Sequence, residues 1–511
     1  MVRIDTYTQY FTITSANFSK LIYLLYDFNK KLITYKKTVK IENNRPKVIM
    51  EADKHFYIIE TAEEEYDIRK NVIRYPISLL DKIIKYLEYK NIDKDTIEIE
   101  YHDPISYRKI NISIDYKLKP RDYQTVYIDR IIKLDRNNIL VDLDTGYGKT
   151  FIAMSALTKI AHVFSVIVLP RYIDKWIGDV LKLTDIMENE ILVIKGGSMI
   201  LDILNNKIDV SQYQCFIISL ITLSNFIKSY LHGMLADKTD KTPEDLFKIL
   251  KTDIVLNDET HQEFANIYKI NLFTNIKLFL GLTATLTTKD KRINVMYHIL
   301  FPSENRISNI VEHVPYVYVH SVRYRFRNRR QIKYKNNFGY NQAKLEKSIM
   351  KYTNTLTNYL KFITGLLSNF YIKKRKEGDK AIVFMYTIDL CNLTADYVSK
   401  IFKDIKVNKY TQEDNYDTIE SSDIIITTLG SAGTALDIPN LVTVIQTVNV
   451  DSITANLQSL GRLRNIKDKK MDFVYIWSND IPSHRRYNIN RLRLFTKKAK
   501  HIRSIEYRSL I

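Results

Sequence analysis

The segment Ile139-Leu-Val-Asp-Leu-Asp-Thr-Gly-Tyr-Gly-Lys-Thr150 constrains the fold most, because it reads as a strand delivering directly into a phosphate-binding loop. Ile139, Leu140 and Val141 form the short apolar run that a buried parallel strand needs. Gly146 and Gly148, interleaved with Thr145 and Tyr147, allow a tight turn whose successive N–H groups can point at one anion. Lys149 offers a cation to the β- and γ-phosphates, and Thr150 offers a hydroxyl to Mg²⁺. The apolar segment from Phe151 to Leu157 opens the following helix, whose N-terminal dipole favours the same anion. Leu143 stands where the pattern G-x-x-x-x-G-K-[ST] has its first glycine. A chance Gly-Lys-Thr is the alternative, but strand, glycines and helix fall here in the order that nucleotide binding requires.

Around this loop, strand-like apolar runs alternate with helical patterns: Ile139 to Val141, Val166 to Leu169, Cys215 to Leu220, Ile254 to Leu256 and Leu278 to Leu282. Such alternation predicts a parallel sheet covered by helices. A second series follows, with Ala381 to Met385, Asp423 to Thr427 and Val442 to Val448 as its clearest strands. The polar stretch Leu235 to Thr252 reads as a surface excursion. From His484 onward the chain is basic and expected to be helical.

Ile254-Val-Leu-Asn-Asp-Glu-Thr-His261 again brings charge to the C-terminal end of an apolar strand, where ligands collect on parallel sheets. Asp258 is placed to hold the metal through water, and Glu259 to orient the attacking water or take its proton. Acidic pairs in loops are usually only solvated, and the strand and phosphate loop make this one a catalytic candidate. Thr283 and Thr285, in Gly281-Leu-Thr-Ala-Thr-Leu286, can bond that segment and relay nucleotide state. In Asn456-Leu-Gln-Ser-Leu-Gly-Arg-Leu-Arg464, Arg462 belongs to the second series. A guanidinium on the γ-phosphate is worth roughly 10³–10⁵ in rate. Arg464 is the second candidate.

Composition decides less. A chain of 511 residues is expected to hold roughly two to four domains. Its net charge of +19 favours a polyanionic partner. The bias toward Lys, Asn, Ile and Tyr is also what an A+T-rich genome produces, so charge alone leaves nucleic-acid binding open. Cys215 and Cys391, each beside an apolar run, read as reduced core residues with neither disulfide nor zinc spacing. No apolar run approaches a membrane span, and no secretory signal pattern is expected.

Taken in order, Arg121-Asp-Tyr-Gln124, the phosphate loop, Val168-Leu-Pro170 with Trp176, Asp-Glu-Thr-His, Thr-Ala-Thr, Ser431-Ala-Gly-Thr-Ala-Leu-Asp-Ile-Pro439 and Gln458-Ser-Leu-Gly-Arg462 resemble a superfamily 2 helicase. The resemblance covers roughly Leu118 to Asp480 and is closest to the poxvirus-type transcript-release DNA helicases. It implies an α/β chain with two RecA-like parallel-sheet domains in tandem, ATP in the cleft between them and nucleic acid across both. It further implies that Arg121 and Gln124 read adenine, that His261 couples to Gln458, and that the helicase runs 3′-to-5′ on DNA to release nascent viral transcripts. Single-stranded or tailed duplex DNA, an RNA–DNA hybrid, and viral RNA polymerase or transcription factors are the implied partners; host cytoplasm and virion are the implied locations. The sequence departs from the family where Asn465 holds the place of the second arginine and Ala435 that of a glycine. It also lacks Pro-Thr-Arg-Glu-Leu, which argues against an Asp-Glu-Ala-Asp-type RNA helicase.

The expected division is an N-terminal α+β accessory domain at 1–115, RecA-like domains at 116–308 and 309–484, and a basic tail at 485–511. In Ser321-Val-Arg-Tyr-Arg-Phe-Arg-Asn-Arg-Arg330, alternation on a strand puts Arg323, Arg325 and Arg327 on one face, with Tyr324 and Phe326 on the other. That row suits phosphates, or it is the charged face of an edge strand that avoids pairing. Rival functions are an RNA helicase or RNP remodeller, a non-catalytic docking subunit of a polymerase complex, and the motor of a restriction enzyme.

Overall fold

The computed structural model describes residues 2–32, 34–42, 45–53, 56–63, 67–115, 117–134, 138–143, 146–283, 290–308, 315–337, 339–411, 417–430, 438–496 and 498–511. The chain divides into two units, Met1–Val311 and Glu312–Ile511.

The first unit opens with β1 (Val2–Thr6), β2 (Tyr10–Ser15), β3 (Thr34–Glu42), β4 (Arg45–Asp53), β5 (Ile58–Glu60), β6 (Val72–Pro76) and β7 (Ile97–Tyr101). Five of these form a mixed sheet in the order β5-β6-β2-β1-β7, and β3 with β4 forms a separate antiparallel pair. Alternation in β1 buries Val2, Ile4 and Thr6 on one face, as a half-covered strand requires. Arg74 on β6, itself buried, pairs with Glu60 of β5 and with Glu244 of the helix Pro243–Leu250. Thr8 and Gln9 bond Asn275 and the Ile276 carbonyl. These bonds tie the sheet to the α/β layer that follows.

That layer contains β8 (Asn138–Asp142), β9 (Phe164–Val168), β10 (Ile191–Ile194), β11 (Cys215–Ser219), β12 (Ile254–Asn257), β13 (Leu278–Thr283) and β14 (Arg306–Ser308). Their order is β10-β11-β9-β12-β13-β8-β14, with every pair parallel. Every residue of β9, β11 and β13 is buried. This is why they read as continuous apolar runs rather than alternating ones.

The second unit has β15 (Val317–Arg325), β16 (Lys335–Asn336), β17 (Gly339–Tyr340), β18 (Lys380–Met385), β19 (Val407–Tyr410), β20 (Ile424–Thr428), β21 (Leu441–Gln446), β22 (Met471–Ser478) and β23 (Ala499–Leu510). Seven of them form a second parallel sheet in the order β19-β20-β18-β21-β22-β15-β23. Two parallel sheets and an N-terminal mixed sheet give the α/β class with two RecA-like layers and an α+β accessory part. Cys215 and Cys391 are buried and unbridged.

Three expectations need correction. The basic C-terminal segment is helical only over Pro482–Phe495 and then becomes β23. Its half-buried Ala499, Ile502 and Ile505 lie three apart and imitate a helical period, yet the segment pairs in parallel with β15 as a strand. Leu235 to Thr252 is not a pure surface excursion, because Leu246, Phe247 and Leu250 of its helix are buried. Finally, β15 lies between β22 and β23 and is not an edge strand.

Candidate nucleotide site

β8 continues into the loop through Leu143, whose N–H donates to the Thr283 carbonyl on β13 at 3.1 Å. Leu143 is buried, and its carbonyl accepts the Lys149 ammonium at 2.9 Å. Leu143 has no left-handed backbone that would call for glycine; among the described loop residues, positive φ falls on Gly146 and Gly148, at 101° and 76°. Gly148 caps the helix Lys149–Ile160. A Cβ at Gly148 would also stand 2.6 Å from Gln124 Nε2.

Gln124 is buried on the helix Asp122–Lys133 and braces the loop. Its Oε1 accepts from the Arg121 N–H at 2.9 Å, and its Nε2 donates to the Tyr147 carbonyl at 3.1 Å. Thr150 is half-buried at the start of the loop helix. Thr145 lies outside the described residues.

At the end of β12, the side-chain amide of Asn257 donates to the Ile167 carbonyl of β9 at 2.8 Å and fixes the strand's exit. Asp258 follows, nearly covered. Its Oδ1 accepts the Glu259 N–H at 2.9 Å, and its Oδ2 accepts Trp176 Nε1 at 3.1 Å and Lys175 Nζ at 3.2 Å. Burial opposes its charge, but Lys175, Lys149 and the hydrogen bonds outweigh that and hold the carboxyl below its ordinary range. Asp258 is thus an anion at neutral pH. Glu259 has a left-handed backbone, φ 50°, a conformation that costs a non-glycine residue about 1 kcal/mol or more.

Thr260 is buried, with its N–H on the Leu282 carbonyl and its Oγ1 on the Asn257 carbonyl. Gly281 makes room for it, since a Cβ there would meet Thr260 Oγ1 at 2.9 Å and Leu140 Cδ1 at 3.0 Å. His261 Nδ1 lies 3.1 Å from Thr283 Oγ1 and 3.3 Å from Glu259 Oε2. Burial drives its pKa down to about 4 against the pull of Asp258, so the ring is neutral. Thr285 lies outside the described residues, as do residues 431–437.

Thr150 and Asp258 could hold a metal: a hydroxyl and an ionised carboxylate are the hard oxygen donors that suit Mg²⁺. The donor set fits.

In the second unit, Gln458 sits on the helix Ile453–Leu460, and Arg462 and Arg464 flank the buried Leu463 in the turn after it. Leu463 is anchored by Tyr316, whose hydroxyl donates to its carbonyl at 2.9 Å. The helix is positioned by Arg491, which is 1% exposed. That guanidinium bonds Asn456 Oδ1, Asn449 Oδ1 and the Val448 carbonyl at 2.9, 3.1 and 2.7 Å.

The arginine row differs from its expectation. Arg323 and Arg325 both pair with Glu506 on the neighbouring β23, at 2.8 and 3.7 Å, while Arg327 lies beyond the end of β15. Part of the charge meant for phosphates is neutralised within the sheet. Tyr324 and Phe326 are buried and unavailable for stacking on bases.

Sequence reasoning missed Lys175 and Arg491. Lys175 had one signal, its place next to Trp176; Arg491 had none, being one more arginine in a basic helix.

Residues 117–288 match the family described as "Type III restriction enzyme, res subunit". The match spans the phosphate loop, Asp258, Glu259 and His261. No curated protein is significantly similar to the chain in sequence. Among solved structures, the chain is similar to the Hef helicase domain of Pyrococcus furiosus, with 15% identity and a TM-score of 0.43 over 73% of this chain and 98% of that one. It is also similar to Mycobacterium smegmatis helicase Lhr bound to ssDNA and AMP-PNP, with 14% identity and a TM-score of 0.47 over 76% of this chain and 49% of that one. Both scores fall below 0.5, and the chemistry of the site rests on its own residues.

Proposed function

We propose that this chain is an ATP-driven nucleic-acid translocase with helicase activity, and that its track is DNA. The observation that carries this reading is the convergence of Lys149, Asp258, Glu259 and a neutral His261 at the C-terminal ends of β8 and β12. Lys149 leaves the Leu143 carbonyl for the β- and γ-phosphates, and the loop N–H groups bind the same anion. Magnesium, held by Thr150 and Asp258, would supply charge neutralisation on the phosphates when bound. Glu259 orients the attacking water and accepts its proton. His261 and Thr283 carry the state of that turn into β13, and Arg462, with Arg464, supplies the guanidinium for transition-state charge.

A family named for restriction enzymes favours DNA over RNA. The finer reading, from the motif resemblance, is 3′-to-5′ movement that releases nascent transcripts during viral transcription, alongside a viral polymerase in the host cytoplasm and the virion. ATPase assays with single-stranded DNA and RNA, and strand displacement on 3′- and 5′-tailed duplexes, test it. Lys149→Ala is expected to lose nucleotide binding, and Glu259→Gln to retain ATP while losing turnover at least a hundredfold. Full activity in cells with Glu259→Gln would instead mean a docking subunit, and stimulation by RNA alone would move the track to RNA.

A further inference from the structure

Asp258 is not merely a free carboxylate waiting for a metal. Its Oδ2 is shared by two donors from the helix Ile173–Leu183, Trp176 Nε1 at 3.1 Å and Lys175 Nζ at 3.2 Å. The two differ in what they can do next. Trp176 is fully buried, so its indole is a fixed neutral donor that pins the carboxylate. Lys175 keeps 32% of its side-chain surface in solvent, and Asp179, one turn along the same helix, stands 3.8 Å from its ammonium. Its ammonium can therefore leave Asp258 for Asp179 and water by side-chain rotation alone, with no movement of the helix.

Resting on the nucleotide-site reading above, we propose that Lys175 is a resident counter-ion for the metal carboxylate. It neutralises Asp258 in the nucleotide-free protein, weakens the binding of free divalent cation, and gives way when the metal arrives with triphosphate. The physical reason is like-charge repulsion: an ammonium at hydrogen-bond distance from the carboxylate stands close to any cation that carboxylate would hold, in a partly desolvated site where screening is weak. The consequence is ordered loading. Metal alone competes with Lys175 for one carboxylate, whereas metal carrying phosphates also gains Lys149 and the loop.

Mn²⁺ is the probe, titrated by electron paramagnetic resonance into the full chain without nucleotide. Lys175→Gln is expected to tighten Mn²⁺ binding at least fivefold, and Lys175→Arg to stay within twofold of wild type because it keeps the charge. Adding Asp258→Asn to Lys175→Gln should abolish the gain. Unchanged or weaker binding by folded Lys175→Gln overturns the proposal, as does a gain that survives Asp258→Asn. Should Lys175→Gln fail to fold, Lys175→Met, which also removes the charge, decides: tighter Mn²⁺ binding upholds the proposal, and unchanged or weaker binding overturns it. Binding of a fluorescent ATP analogue, wild type against Lys149→Ala, is measured in parallel. If that binding is absent or indifferent to Lys149, the nucleotide reading fails, whatever Mn²⁺ does at Asp258.

Discussion

His261 is held neutral by burial, with its Nδ1 facing both Thr283 Oγ1 and Glu259 Oε2. Burial lowers its pKa to about 4, with Lys149 acting in the same direction and Asp258 opposing. An unfolded histidine takes up a proton near pH 6.5, and the folded one refuses it until about pH 4, so folding stability declines as pH falls through that window. From pH 7 to pH 5 this group should remove about 2 kcal/mol. Urea unfolding at both values, wild type against His261→Gln, checks it: the variant should lose less over the same interval. An equal loss in both proteins would mean that His261 is not the group responsible. At the same scale, the phosphate loop was legible because its demands fall on contiguous residues. Only glycine adopts the backbone of Gly146 and Gly148 without strain. Leu143 looked like a defect in that motif, yet its carbonyl is the partner of Lys149.

Among elements, the helix Ile453–Leu460 depends on a residue far along the chain. Arg491 reaches it from Pro482–Phe495 with three hydrogen bonds, one to Asn456 of that helix. Lysine cannot reproduce a planar fork, so Arg491→Lys should leave buried acceptors unmet and cost about 2–4 kcal/mol. Urea unfolding measures that cost, and ATPase assays should show turnover falling more than nucleotide affinity, because the arginine-bearing turn moves and the phosphate loop does not. Wild-type stability in Arg491→Lys would reject this account. The main strands were readable as apolar runs because both faces of a parallel sheet are covered. β23 was not, because an edge strand has one neighbour and its exposed side is charged.

Over the first unit as a whole, the accessory sheet is fastened by Arg74, which packs on Phe273 at 4.4 Å and Tyr10 at 5.2 Å while pairing with Glu60 and Glu244. Tyr230 adds a 2.8 Å bond to Glu60. Arg74→Met would strand two carboxylates with little solvent, an expected loss of about 3–5 kcal/mol. Hydrogen exchange should show β5 and β6 opening first, ahead of β8 and β13. Uniform loss of protection across the unit would show that the sheet and the α/β layer unfold together and that Arg74 is no local fastener. The described residues contain no helix long and apolar enough to cross a membrane.

The amino-acid order alone determined the strand–loop–helix unit, the acidic pair after β12 and the two parallel layers, because each is encoded by neighbouring residues. Tertiary structure decided what long-range contact creates: the ammonium of Lys175 on Asp258, the cover of β23 over β15, the burial of Arg491 and the clamp at Arg74. Those pairings join residues that are distant along the chain, and a charged side chain carries no local mark of whether water or protein will surround it.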